Sequence, residues 1–181
     1  MNKSLVFLLG VVAVSLFAVT PVNAQTFSYG ATLLGANEVS STGVLGVGDP
    51  DGSARALVTF DTLNQTVTYS LSNLTNLDEF RFWHIHTGGA SVNGPILVDF
   101  GTSLSGTAVP YASVGTNVTE VSQIIANPGG HYFNAHTSVF PGGAVRAQVA
   151  VVPEAGSLPL AAGALAILGS ATIVARRRKG A

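Results

Sequence analysis

The chain has 181 residues, no cysteine and a formal charge of −1 at pH 7. The absence of cysteine excludes disulfides, thiolate metal sites and thiol catalysis. The net charge of the whole chain is near zero, but residues 25–152, the body of the protein, are acidic. They contain three arginines, eight acidic residues and no lysine, which gives a formal charge of −5. This charge excludes nucleic-acid binding, which needs a basic surface for the phosphate contacts.

Residues 1–24 have the pattern of a secretory signal peptide. Lys3 precedes the apolar run LVFLLGVVAVSLFAV, which ends at Pro21 and the small-x-small site Val22-Asn23-Ala24. A basic start, an apolar middle and such a site are typical of a cleaved signal peptide. An uncleaved anchor is the alternative, but the run is short for a spanning helix. We therefore expect the mature protein to begin near Gln25.

The body, residues 25–152, alternates apolar and polar residues in short segments, which predicts β-strands. The predicted strands are 27–33, 54–60, 66–74, 80–87, 95–100, 131–137 and 144–152. The polar turn 61–65 joins the second and third strands as a hairpin. Segment 101–116 is polar and weakly patterned, and it predicts no regular element.

One short helix is predicted after residue 117. Asn117 and Glu120 have the spacing of a capping box, apolar residues recur at helical spacing through 118–125, and Pro128 ends the pattern. Seven strands and one helix predict an all-β fold, a single antiparallel β-sandwich of immunoglobulin-like Greek-key or superoxide-dismutase-like type. A closed barrel is the alternative.

The C-terminal segment predicts a membrane-spanning helix. Residues 155–175 contain no charged residue, and about 20 apolar residues cross a bilayer as a helix. The basic tail 176–179 would hold that end in the cytoplasm, so the body is expected outside. A buried core helix is the alternative, which four consecutive basic residues disfavour.

This tail resembles the PEP-CTERM sorting signal of Gram-negative bacteria. The match consists of Val152, Pro153 and Glu154, the helix 155–175, and then Arg176, Arg177 and Arg178. Ala155 stands where the family usually has a second proline. The resemblance implies a transient inner-membrane anchor, processing by an exosortase-type enzyme near Pro153-Glu154, and delivery to the cell surface or an extracellular polymer.

The four histidines lie in two strand-like segments, FRFWHIHT and HYFNAHT. In a strand, His84 and His86 project from one face about 7 Å apart, which suits two ligands of one metal ion. His136 would add a third ligand if its strand lies nearby. Imidazole favours zinc, copper or nickel, of which we consider copper and zinc, and ring nitrogens about 3–4 Å apart would support a metal site. This hypothesis predicts a copper- or zinc-binding redox or hydrolytic protein.

The competing hypothesis is a structural polar network. His131, Asn134, Arg146 and Gln148 are placed to tie strand ends together through hydrogen bonds. The sequence has no nucleophile elbow, Walker loop or HExxH motif, so no catalytic residue is assigned. Trp83, the only tryptophan, is predicted to be a core anchor rather than a carbohydrate platform.

The body also resembles the CHRD domain, the module repeated in chordin and found alone in bacterial secreted proteins. The residues that carry the match are GANEV at 35–39, HIH at 84–86, NGP at 93–95, YFNAHT at 132–137 and FPGGAVRAQ at 140–148. Two loops depart from the usual pattern, Thr87-Gly88-Gly89 and Ser40-Ser41. The resemblance implies the fold and no particular reaction.

We therefore expect an exported, surface- or matrix-sorted CHRD-domain protein that acts as a non-enzymatic binding or structural component. Its expected partners are the sorting enzyme and an extracellular polysaccharide or another surface protein. The metal-dependent protein described above is the alternative.

Overall fold

The computed structural model describes residues 26–153, so the predicted signal peptide and C-terminal helix lie outside the described residues. The regular elements are β1 (Thr26–Leu34), β2 (Ser53–Asp61), β3 (Thr66–Thr75), β4 (Phe80–Thr87), β5 (Ile96–Asp99), β6 (Ser105–Pro110), α1 (Val118–Ala126), β7 (His131–Thr137) and β8 (Val145–Gln148). Short 3-10 turns occur at Gly35–Asn37, Tyr111–Val114 and Pro128–Gly130. Within 26–153, none of the helices is long and apolar enough to cross a membrane.

All eight strands belong to one curled sheet in the order β5-β4-β7-β8-β1-β2-β3-β6. Every pairing is antiparallel. β5 and β6 form the two edges, so the sheet is not a closed barrel. The predicted all-β antiparallel fold with one short helix is confirmed, while its division into two sandwiched layers stays a prediction.

The two halves of the sheet meet at the junction of β8 and β1. Leu34 pairs with Arg146 at one end of this junction. Further along, the Gly30 N–H donates to the Ala150 carbonyl at 2.9 Å, and the Val152 N–H donates to the Ser28 carbonyl at 2.9 Å. These backbone bonds make the sheet continuous.

The core fills the concave side of the sheet. Along β2, the apolar residues of one parity are all buried, as the alternation predicted: Ala54, Ala56, Val58 and Phe60. β3 pairs with β2 as the predicted hairpin. In its turn, the Asp61 carboxylate accepts the N–H groups of Leu63 and Asn64 at 3.0 and 2.9 Å.

Trp83 joins the two halves of the sheet across this core. Its ring stacks on Phe100 at 4.1 Å between centroids and meets Tyr69 of β3 edge-on at 5.9 Å. The indole N–H donates to the Ser103 carbonyl at 2.9 Å, so this buried polar atom is satisfied. The prediction that Trp83 is a core anchor is confirmed.

The helix α1 begins with the predicted capping box. The Asn117 side chain accepts the N–H groups of Thr119 and Glu120, and the Glu120 carboxylate accepts the Asn117 N–H. Val121 and Ile124 face the core.

Strand β6 was missed by the sequence pattern. It lies within the segment predicted to hold no regular element, and it pairs only with β3, at an edge of the sheet. Its residues are exposed or half-buried. An edge strand of this kind needs no apolar alternation, because neither of its faces is buried deeply.

The outer sides of the two halves differ. On β1, β2 and β3 the outer side carries exposed or half-buried residues, among them Ser28, Thr59, Thr68 and Ser70; we call this the open face. On β4, β7 and β8 the outer side is covered by segments 35–49, 88–95 and 138–143, which hydrogen-bond to Arg146, His86 and His136; we call it the covered face. Every residue of β7 is buried as a result.

Candidate functional site

Three histidines converge on the covered face. Antiparallel pairing sets Phe82 opposite His136 and His84 opposite Asn134, so His84 and His136 are diagonal neighbours. The ring centroids lie 5.1 Å apart for His84 and His136, 5.3 Å for His84 and His86, and 6.2 Å for His86 and His136. One nitrogen from each ring lies within 4.8 Å of the other two. The structure thus brings together the three predicted ligands.

The tautomers of two rings follow from their hydrogen bonds. His86 Nδ1 lies 2.9 Å from the Gly94 carbonyl, and His136 Nδ1 lies 3.0 Å from the Pro141 carbonyl. Because a carbonyl only accepts, both Nδ1 atoms carry the hydrogen. Each Nε2 of the neutral rings therefore presents a lone pair.

His84 completes the cluster from β4. Its Nε2 lies 3.3 Å from a carboxylate oxygen of Asp99, its partner across the β4–β5 pair, and its Nδ1 lies 3.3 Å from His136 Nε2. When Nε2–H donates to Asp99, the Nδ1 lone pair faces the His136 lone pair with no hydrogen between them. Two such nitrogens suit a shared cation: bonds near 2 Å at a tetrahedral angle separate them by about 3.3 Å.

Burial keeps the cluster uncharged. His84, His86 and His136 are 5%, 9% and 6% exposed. Burial, with the neighbouring His136, lowers the pKa of His84 to about 4, and burial also lowers the pKa values of His86 and His136. At neutral pH the three rings are neutral, which is the form that binds a metal ion.

Three buried polar atoms have no hydrogen-bond partner within the described chain: His86 Nε2, Glu38 Oε2 and Asn134 Oδ1. All three can accept a hydrogen bond or a cation. Buried polar atoms are nearly always satisfied, so these three mark places where water or an ion is expected.

Arg146 ties a covering loop to the sheet. Its guanidinium donates to the Asn93 side-chain oxygen and to the carbonyls of Gly89 and Val92, at 2.8–2.9 Å. It also lies 3.4 Å above the centre of the Tyr132 ring, which stacks on His86 at 4.9 Å. The loop held in this way carries the Gly94 carbonyl that orients His86.

The other predicted network residues make separate contacts. The Gln148 side-chain N–H₂ lies within 3.1 Å of the carbonyls of Gly88, Gly129 and His131. His131 Nδ1 lies 2.9 Å from the Asn127 carbonyl, away from the cluster. Asn134 reaches the Glu38 carboxylate at 3.5 Å. These contacts lie beside the histidine cluster, and a single polar network of the predicted residues stays a prediction.

Sequence reasoning missed Glu38 and Asp99. Glu38 is buried under Gly143, whose φ of +138° and lack of a side chain leave room: a Cβ would lie 2.4 Å from Glu38 Oε2. Burial raises the pKa of Glu38. The position of Glu38 in the GANEV motif could have indicated its importance. The contact of Asp99 with His84 depends on the register of two strands, which cannot be read from the sequence.

The sorting residues lie mostly outside the described part. The Val152 N–H donates to the Ser28 carbonyl of β1, and Pro153 is exposed. Glu154, Arg176, Arg177 and Arg178 lie outside the described residues.

A family model for the CHRD domain matches residues 29–149, more than half of the chain. Searches among curated proteins and among solved structures return no match. The matched region contains the histidine cluster, the loops that cover it and the strands that place it. On this match, the chain belongs to the CHRD domain family.

Proposed function

We propose that this protein is an exported CHRD-domain protein that binds one copper or zinc ion through His84, His86 and His136. The observation that carries the proposal is the 3.3 Å approach of His84 Nδ1 and His136 Nε2, two nitrogens whose rings are held by acceptors on the opposite side. The unpartnered, buried His86 Nε2 supplies the third donor.

The surroundings of the rings support a metal site. Metal-binding histidines usually donate their other ring N–H to a carbonyl or carboxylate, which fixes the tautomer and raises the basicity of the ligand. Gly94, Pro141 and Asp99 stand in these positions. Three imidazoles without thiolates favour copper or zinc over the hard cations.

The place of action follows from the ends of the sequence. The signal-peptide pattern of 1–24 and the sorting-signal pattern of 153–181 support export, transient anchoring in the inner membrane and handling by an exosortase-type enzyme. A metal-binding component of the cell surface or extracellular polymer is the resulting role. An extracellular polysaccharide or another surface protein is the proposed neighbour there.

We also infer that the two halves of the curled sheet are the two layers of a Greek-key β-sandwich. The contact of Tyr69 on β3 with Phe100 beside β5, at 4.6 Å between centroids, supports this arrangement, since these strands lie in opposite halves.

Calorimetric titration of the metal-free protein with Cu²⁺ and Zn²⁺ tests the metal site. We expect one equivalent to bind, and we expect His84→Ala/His86→Ala to lose this binding. His131→Ala is the matched control, because it removes a buried histidine with a carbonyl partner outside the cluster. Equal binding by the wild type and the double variant, or no binding by the wild type, contradicts the proposal.

A further inference from the structure

We infer that the metal ion held by the three histidines keeps one coordination position open, and that a small anion occupies it. This inference rests on the proposed metal site and states what that site binds. Small inorganic anions such as azide are the ligands that we expect to bind there, and azide is used as the probe.

The three histidines fill only three coordination positions of the proposed metal ion, which leaves one position free. In the described part of the chain, the cluster contains three histidines and no further histidine or carboxylate side chain. Asp99 is engaged with Nε2 of His84, on the side of the ring away from Nδ1. Glu38 lies with Asn134 and the Val39 N–H. Copper and zinc sites with three protein donors complete their coordination with an exogenous ligand.

The cluster lies just beneath the surface. As whole residues, the three histidines keep 5–9% of their surface exposed, whereas Trp83 and Ile85, on the opposite face of the same strand, keep none. The backbone of β4 and β7 closes the inner side of the cluster. Phe82, which is half-buried, contacts His84 and His136 at 5.1 and 4.8 Å between centroids and covers the site beside β7. A small ligand therefore has only a short distance to travel from solvent.

The charges around the site favour an anion. Three neutral imidazoles leave the full charge of a divalent ion uncompensated in a buried setting, where Coulomb energies are large. The Arg146 guanidinium, stacked on Tyr132 and through it on His86, adds a positive charge on that side. Asp99 and Glu38 oppose this effect. Asp99 is exposed and thus screened by solvent, and burial raises the pKa of Glu38, which favours its neutral form.

The test uses the purified protein carrying one equivalent of Cu²⁺, with excess copper removed and the copper content measured before any anion is added. Azide is then titrated while the azide-to-copper charge-transfer absorption is followed. We expect a saturable band with one azide per copper, and a water-proton relaxation enhancement that falls as azide binds. His131→Ala is expected to behave as the wild type.

Two failures are distinguishable. If copper does not bind, the metal measurement shows it before azide is added, and the proposed function falls together with this inference. If one copper binds to the histidines but azide gives no band and the copper does not enhance water-proton relaxation, the coordination is closed. The metal site then stands and the open position is wrong.

Discussion

The covered face and the open face belong to one sheet and share one core, yet they use polar residues in opposite ways. On the covered face, the register sets His84 opposite Asn134 and Asn134 opposite Arg146, and all three are buried. On the open face, the equivalent row is Ser28, Thr59 and Thr68, which are half-buried or exposed. The strand geometry is the same, and the difference lies in the loops.

The difference separates two meanings of a polar residue in a strand. A hydroxyl on the open face exchanges its hydrogen bonds with water at little cost. A polar group on the covered face has lost water, so its partner must come from the protein or from a bound ion. Arg146 on the covered face and Arg55 on the open face, together with hydroxyls on both faces, offer matched ways to measure this contrast.

The largest loss of stability is expected for Arg146→Met. The substitution leaves the carbonyls of Gly89 and Val92 and the Asn93 oxygen without their donor, and it removes the cation nearest to the buried Glu38. Loss of one partner from a buried charged arrangement costs about 3–5 kcal/mol. Urea denaturation measures the change in the free energy of unfolding.

Arg55→Met is the matched control on the open face. Arg55 is exposed on β2, and the Ser72 hydroxyl donates to the Arg55 backbone carbonyl, which the substitution keeps. We expect a change within about 0.5 kcal/mol. If the two variants lose similar stability, the distinction between the faces is wrong.

The next effect is the pH dependence of stability in the metal-free protein. Burial lowers the pKa of His84 in the folded protein to about 4, from an ordinary value of 6.5. The unfolded chain therefore takes up a proton between these values and the folded chain does not, so acidification favours unfolding. Stability is full above pH 6.5 and falls as the pH drops toward 4, by roughly 3 kcal/mol at most from this residue.

Urea denaturation across this pH range, with a chelator present, measures the slope. His84→Gln is expected to flatten it, because the variant no longer takes up this proton on unfolding. Thr59→Val, on the open face, is expected to keep the wild-type slope. An equally steep loss of stability in His84→Gln would show that other groups cause the acid sensitivity.

The sequence predicted the parts of this fold that depend on local pattern. Alternation predicted β2 and β3, and the spacing of Asn117 and Glu120 predicted the start of α1, because neighbouring residues alone determine these features. The pair His84 and His86 was likewise readable, since residues two apart in a strand share a face.

The remainder depends on non-local pairing. Asp99 meets His84 through the register of β4 with β5, and Gly94 meets His86 through the path of a loop. Glu38 reaches Asn134 from a segment 96 residues away in sequence. The edge strand β6 carries no alternation to find. The three histidines of the proposed site were therefore predictable, and the groups that orient their rings were not.

The smallest change in stability is expected when single hydroxyl groups are removed, one on each face. On the covered face, the Tyr132 hydroxyl accepts the Gly94 N–H at 3.2 Å. Tyr132→Phe leaves this N–H without its acceptor where little water reaches it, at a cost of about 1 kcal/mol. Because the Gly94 carbonyl holds His86, we also expect weaker metal binding in this variant.

On the open face, the Thr59 hydroxyl contacts the Ser28 hydroxyl at 2.9 Å, and both side chains are half-buried. Thr59→Val leaves Ser28 free to bond water, and valine suits a strand as well as threonine does. We expect a change within about 0.5 kcal/mol and unaltered metal affinity. Urea denaturation and calorimetry of both variants measure these changes. Equal losses of stability would mean that a hydroxyl under the loops is as well solvated as one outside them. The covered face would then lack the dry surroundings on which the proposed metal site depends.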